Sequence, residues 1–139
     1  MKNRKERPAR ILVVNDTQEL LEAFRTLLED DGYEVTVYSY APDELAQVQQ
    51  VNPDLVILDL IFGQEKSGWQ LLDKMRMTRE TSKIPVIVCT AAIKEVRENE
   101  GYLKAMGVTV ILKPFDIDRM LDSVREALRD ASEPPTASA

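Results

Sequence analysis

Asp16, Asp59, Thr90 and Lys113 each stand at the C-terminal end of a short apolar run, in Ile-Leu-Val-Val-Asn-Asp, Leu-Val-Ile-Leu-Asp, Val-Ile-Val-Cys-Thr and Leu-Lys-Pro. Two carboxylates, a hydroxyl and an ammonium, brought into one crevice, form a set suited to phosphoryl transfer. Adjacent carboxylates repel and hold protons unless a divalent cation such as Mg2+ neutralises them through oxygen ligation. Asp59 would then attack as a carboxylate nucleophile, with the Thr90 hydroxyl and the Lys113 ammonium neutralising charge on the phosphoryl oxygens. Singly, each residue has a plainer reading. A strand-terminal aspartate is more often a helix cap or a solvated carboxylate, and Lys113 before Pro114 could be an exposed lysine at a turn. The chemistry rests on the four together.

Five apolar runs must position them: Ile11 to Val14, Glu34 to Ser39, Leu55 to Leu60, Ile84 to Ala91 and Val108 to Leu112. All five read as strands. Three contain continuous rather than alternating apolar residues, the pattern of central parallel strands covered on both faces. Helix-length segments separate them. The first carries Leu20, Leu21, Phe24, Leu27 and Leu28 on one side and stops at Asp31-Gly32; the second starts with Pro42 and breaks at Asn52-Pro53. The third spans about Ser67 to Thr78, with Trp69, Leu72 and Met75 at core spacing. The fourth, about Lys94 to Met106, is crowded with charge and interrupted by Gly101, whose cost relative to alanine is about 1 kcal/mol. The last follows Asp116 as N-cap and ends near Ala131. Strands alternating with helices predict an α/β doubly wound sheet, whose ligands bind beyond the carboxyl ends of the strands.

Composition bounds the alternatives. A chain of 139 residues, 44% hydrophobic, suits one domain with a core sufficient for stability without disulfides. Cys89 is the single cysteine and histidine is absent, which removes an internal disulfide, histidine triads and the usual zinc ligands. The net charge of −6 argues against a surface made for nucleic acid, and no direct nucleic-acid contact is expected. Residues 1–8 read as a basic, solvated N-terminal tail, 9–131 as the domain, and 132–139 as a disordered C-terminal tail. No run has the length of a signal or membrane-spanning segment, so a cytoplasmic protein without membrane contact is expected.

At these residues the chain resembles the receiver domain of two-component response regulators, over about residues 9–131. The resemblance rests on the four motifs that end in Asn15-Asp16, Asp59-Leu60, Thr90-Ala91 and Lys113-Pro114-Phe115. It implies a flavodoxin-like fold, a five-stranded parallel sheet of order 2-1-3-4-5 with five helices. It implies a phosphoryl group accepted on Asp59 from a sensor histidine kinase or phosphotransfer protein, and Thr90 and Lys113 as the phosphoryl-binding switch pair. Mg2+ would be held by Asp16, Asp59 and the Ile61 carbonyl, with Asn15 contributing indirectly. A cis bond before Pro114 is also implied.

Three positions depart from the family pattern. Asn15 replaces the first of two acids, lowering the negative charge of the site. The loop from Asp59 to Gly68 is one residue longer than usual, with Gly63 where proline is common. Val110 occupies the switch aromatic position on strand five. Apolar Ile61 and Ala92 flank the site, from which slow loss of the phosphoryl group is expected. No second domain follows in this sequence. The expected role is therefore a stand-alone receiver, not an enzyme beyond weak autophosphatase activity, that signals through a partner docking on helix four, strand five and helix five; a homodimer is a further expected assembly. The alternative is a receiver-like interaction module that works without phosphorylation, motivated by Asn15 and Val110.

Overall fold

The computed structural model describes residues 7–42, 44–61 and 65–132. Five strands, β1 (Arg10–Val14), β2 (Glu34–Tyr38), β3 (Leu55–Leu58), β4 (Val86–Thr90) and β5 (Thr109–Leu112), form one parallel sheet of order β2-β1-β3-β4-β5. Between and after them lie α1 (Gln18–Asp30), α2 (Leu45–Val51), α3 (Ser67–Met77), α4 (Ile93–Glu98), α5 (Glu100–Ala105) and α6 (Ile117–Ser132). Ser39, Leu60, Ile84, Ala91 and Val108, at the edges of the expected strands, fall outside the ladders. Gly63 and its neighbours 62 and 64, and the tail residues 1–6 and 133–139, lie outside the described residues, as does Asp43.

The central strands are apolar on both faces because two helical layers cover them. Alternate residues divide the core. Ile11, Val13, Ile57, Ile87, Cys89 and Ile111 face α1 and α6, meeting Leu21, Phe24 and Leu28 from one and Met120, Val124 and Leu128 from the other. Leu12, Val14, Val56, Leu58, Val86 and Val88 face the other layer, meeting Val48, Leu71, Leu72, Met75, Val96 and Leu103. The period-two alternation of a strand thus feeds two cores rather than one core and solvent. Of the stripe on α3, Leu72 and Met75 are fully buried, whereas Trp69 is partly buried and leans on the ring of Tyr102, with centroids 6.5 Å apart.

Helix ends follow local chemistry. Gly32, at φ 94°, reverses the chain after α1, and the N–H of Tyr33 returns to the Leu28 carbonyl at 3.1 Å. Asp116 caps α6, its Oδ1 accepting from the N–H of Asp118 at 2.8 Å.

Two expectations require correction. The second helix does not begin at Pro42: Glu44 is still extended, and α2 starts at Leu45. The expected fourth helix is two short helices, so among the described residues six helices flank the sheet rather than five. Asn99 divides them at φ −120°, ψ 22°, and its side-chain amide donates to the Glu95 carbonyl at 2.8 Å. An asparagine side chain competing for helical carbonyls, with Gly101 two residues on, favours a break there.

Candidate functional site

The backbone ladders carry the chemical residues one step past the strands. The Asp59 N–H donates to the Val14 carbonyl at 3.0 Å, and the Lys113 N–H to the Thr90 carbonyl at 2.9 Å. These bonds fix both residues at the carboxyl edge of the sheet, beside Thr90. The Lys113-Pro114 bond is cis.

Asp59 is 6% exposed, and its carboxylate is fully engaged. One oxygen, Oδ1, accepts from the Ile61 N–H at 3.2 Å; the other, Oδ2, accepts from Lys113 Nζ at 3.0 Å and from Asn15 Nδ2 at 3.5 Å. The partly buried Lys113 ammonium supplies the opposite charge that a buried carboxylate requires. Asn15 is oriented by its other end: its Oδ1 accepts the Thr17 N–H at 2.9 Å, leaving the amide NH2 to face Asp59. An acid at this position would place a like charge there, whereas the amide offers a donor.

Thr90 is buried, and its hydroxyl oxygen accepts the Ala92 N–H at 3.2 Å. Behind it, burial pushes the Cys89 thiol up to about 11, with smaller opposing effects from the Lys113 ammonium and the Asp59 carboxylate.

An open cleft of about 430 Å3 joins these groups, bounded by Asp16, Thr17, Asp59, Ile61, Thr90, Ala91, Ala92, Glu95 and Lys113. Asp16, Asp59, Ile61, Thr90 and Lys113, singled out in the sequence, therefore share one wall-to-wall space, with Asn15 buried just beneath. Val110 does not belong to it. It lines a separate cavity of about 580 Å3 with Val96, Leu103 and Val108. Sequence reasoning missed Glu95, which reads as one of many charges on a solvated helix. Its spacing gave a signal, however: with Ala92 as N-cap, Glu95 is the third residue of α4, where side chains lean back towards the helix start.

The donor set fits a hard cation. Asp16 is exposed at the mouth, Asp59 lies at the floor, and Ile61 bounds the same space, so carboxylate and carbonyl oxygens with room for water are what Mg2+ prefers. Among the described residues no cluster of three or more histidine, cysteine or acidic side chains is arranged for a metal. Two carboxylates and a backbone carbonyl fall below that number and remain compatible with a cation that keeps several waters.

A doubly wound sheet with an aspartate, a lysine and a threonine joined at its carboxyl edge defines a receiver. Residues 11–125 match the response regulator receiver domain, and the chain belongs to that family. Receivers of this family accept a phosphoryl group on an aspartate from a histidine-kinase partner and thereby alter downstream activity, and typically use Mg2+ for the transfer. The family is a signalling domain rather than a conventional enzyme. The chain is 32% identical over 126 residues to the DNA-binding response regulator MtrA of Mycolicibacterium paratuberculosis, covering 91% of this chain and 54% of that protein. It thus spans about half the length of such curated relatives. Among solved structures it is similar to the chemotaxis protein CheY4 of Vibrio cholerae, with TM-score 0.73 and 26% identity over 87% of this chain and 99% of that one. A CheY-like receiver domain protein of Methanospirillum hungatei matches with TM-score 0.77 and 26% identity, covering 89% and 96% respectively. Among the described residues no helix is long and apolar enough to cross a membrane.

Proposed function

We propose that this chain accepts a phosphoryl group on Asp59 from a phosphohistidine donor and uses the modified state to change its affinity for a partner protein. The observation that carries the reading is the 3.0 Å pair between Lys113 Nζ and Asp59 Oδ2, set in a cleft that Thr90 and Asp16 share. An Asp59 oxygen attacks phosphorus, the P–N bond to the donor imidazole breaks, and the electron pair leaves with the imidazole. Lys113, already aimed at Asp59, then follows the charge onto the phosphoryl oxygens, and the Thr90 hydroxyl, whose oxygen accepts the Ala92 N–H, donates its own proton to one of them. Asp16, Asp59 and the Ile61 carbonyl are the groups that would hold Mg2+, with Asn15 holding the loop rather than the ion. When bound, the cation supplies charge neutralisation at the phosphoryl group.

Within this reading residues 9–131 form the receiver, and the output surface comprises α4, α5, β5 and α6. Phosphorylation adds about −1.5 to −2 charges at neutral pH, enough to redraw the hydrogen bonds of Thr90 and Lys113 beside that surface. The donor is a histidine kinase or phosphotransfer protein, and the site works in the cytoplasm, where such donors act.

A second reading, docking without phosphorylation, draws on Asn15: its amide and Lys113 together leave Asp59 satisfied without a metal. One experiment separates the two. The wild-type chain and Asp59→Ala are incubated with a small-molecule phosphodonor, with and without Mg2+, and weighed intact. A Mg2+-dependent phosphoryl adduct confined to the wild type is the expected result. A folded wild type that takes no adduct and binds no Mg2+ would instead support the docking module.

A further inference from the structure

We infer that Glu95 is the residue that holds the water which hydrolyses the phosphoryl group, and so sets the lifetime of the modified state. The inference rests on the reading of Asp59 as phosphoacceptor. Glu95 bounds the same cleft as Asp59, Thr90 and Lys113, from the first turn of α4. It is half-buried there, and its carboxylate makes no hydrogen bond or ion pair with any described residue; the neighbouring Lys94 pairs with Glu98 instead. The task an acid at this helical position ordinarily performs, accepting the N-cap N–H, is already taken, because the Ala92 N–H donates to Thr90 Oγ1 at 3.2 Å. An acceptor with no structural partner therefore lines the cleft where the side chains of Ile61 and Ala92 are apolar.

The step balances with water as the sole co-reactant. The water oxygen forms a bond to phosphorus on the side opposite Asp59, the bond from phosphorus to the Asp59 oxygen breaks, and its electron pair restores the carboxylate. The water proton passes to the Glu95 carboxylate and from there to solvent. Inorganic phosphate leaves. Placing a base against the attacking water accelerates such a step, so the slow loss expected from Ile61 and Ala92 alone is shortened by Glu95.

The test follows the phosphorylated full chain, made with a small-molecule phosphodonor and Mg2+ and then freed of donor, by intact mass over time. Glu95→Gln is expected to lengthen the lifetime by about tenfold, and Glu95→Asp to recover part of the loss. Hydroxylamine cleavage of the same adducts serves as the second readout, since hydroxylamine attacks the acyl carbon and needs no base at phosphorus. The ratio of water cleavage to hydroxylamine cleavage should fall in Glu95→Gln. A lifetime unchanged or shortened in Glu95→Gln overturns the role of Glu95, as does an equal slowing of both cleavages, which marks a structural effect. Failure of the wild type to form any adduct overturns the phosphoacceptor reading together with the inference, and so is told apart from failure of Glu95 alone.

Discussion

A Cβ on Gly68 would overlap the Asp59 carbonyl oxygen and come within 2.6 Å of the Leu60 Cα, so the start of α3 can lie against the Asp59 backbone only with glycine there. The clash is with backbone, which has no rotamer to yield. Gly68→Ala is expected to destabilise the fold by about 1–3 kcal/mol, read as a lower urea midpoint, and to weaken phosphodonor labelling by displacing Asp59. Cys89 gives a prediction with a pH sign. Burial raises its pKa to about 11, so the fold favours the neutral thiol. That contribution is complete below the ordinary thiol range, near 8.5, and is lost as pH climbs through about 11. At pH 8–9 the native protein should therefore resist iodoacetamide, while the urea-unfolded chain reacts rapidly. Rapid alkylation of the native chain in that range would show that Cys89 is exposed. At this scale the sequence named Asp16, Asp59, Thr90 and Lys113 because strand ends converge by topology, whatever their side chains do. It could not show Asn15 turning its amide towards Asp59, which depends on the Thr17 N–H claiming the other end.

The elements were legible wherever burial on both faces or strong amphipathic spacing decided them, as in β1, β3, β4, α1 and α6. They were misread where short-range competition decided. Asn99 ends α4 by offering its own side chain to the Glu95 carbonyl, a choice invisible to hydrophobic periodicity, since Val96 and Leu103 keep the spacing of a single helix facing the core. The detached α5 is then held sideways rather than lengthwise. Tyr102 donates its phenol to Asp73 on α3 at 2.6 Å and leans on Trp69, while Arg76 of α3 donates to the Met106 carbonyl at 3.0 Å and to those of Ser82 and Ile84. The hydrogen bond to Asp73 raises the Tyr102 pKa, since ionisation would remove the donor. Its support is therefore present at neutral pH and fades as pH rises above the ordinary phenol range of about 10. Tyr102→Phe should speed amide exchange across residues 100–105 and leave that of β1 and β3 unaltered. Exchange unchanged in α5 would mean that Arg76 and the apolar core hold it without the phenol.

For the whole molecule, one arrangement serves both stability and signalling. The sheet buries its apolar residues in two layers, so the polar residues at the strand ends can meet only at its carboxyl edge, and α4 and α5 run directly from that edge. Thr90 and Lys113 border the cleft on one side and are joined through the backbone bond between them to β5, whose other end meets α5. Val110 borders a cavity of about 580 Å3 between β5 and α4–α5. A charge placed on Asp59 biases the placement of α4 only through contacts that differ between the unmodified and modified states. The division at Asn99 localises the effect: α4, which carries Glu95 at the cleft, should respond more than α5, which Tyr102 and Arg76 tie to α3. Hydrogen exchange measured with and without beryllofluoride and Mg2+ should therefore change in residues 91–99, change less in 100–110, and stay constant in β1, α1 and α2. Identical exchange across 91–110 in the two states would remove the switching step and leave Asp59 as a phosphoryl store without a mechanical output.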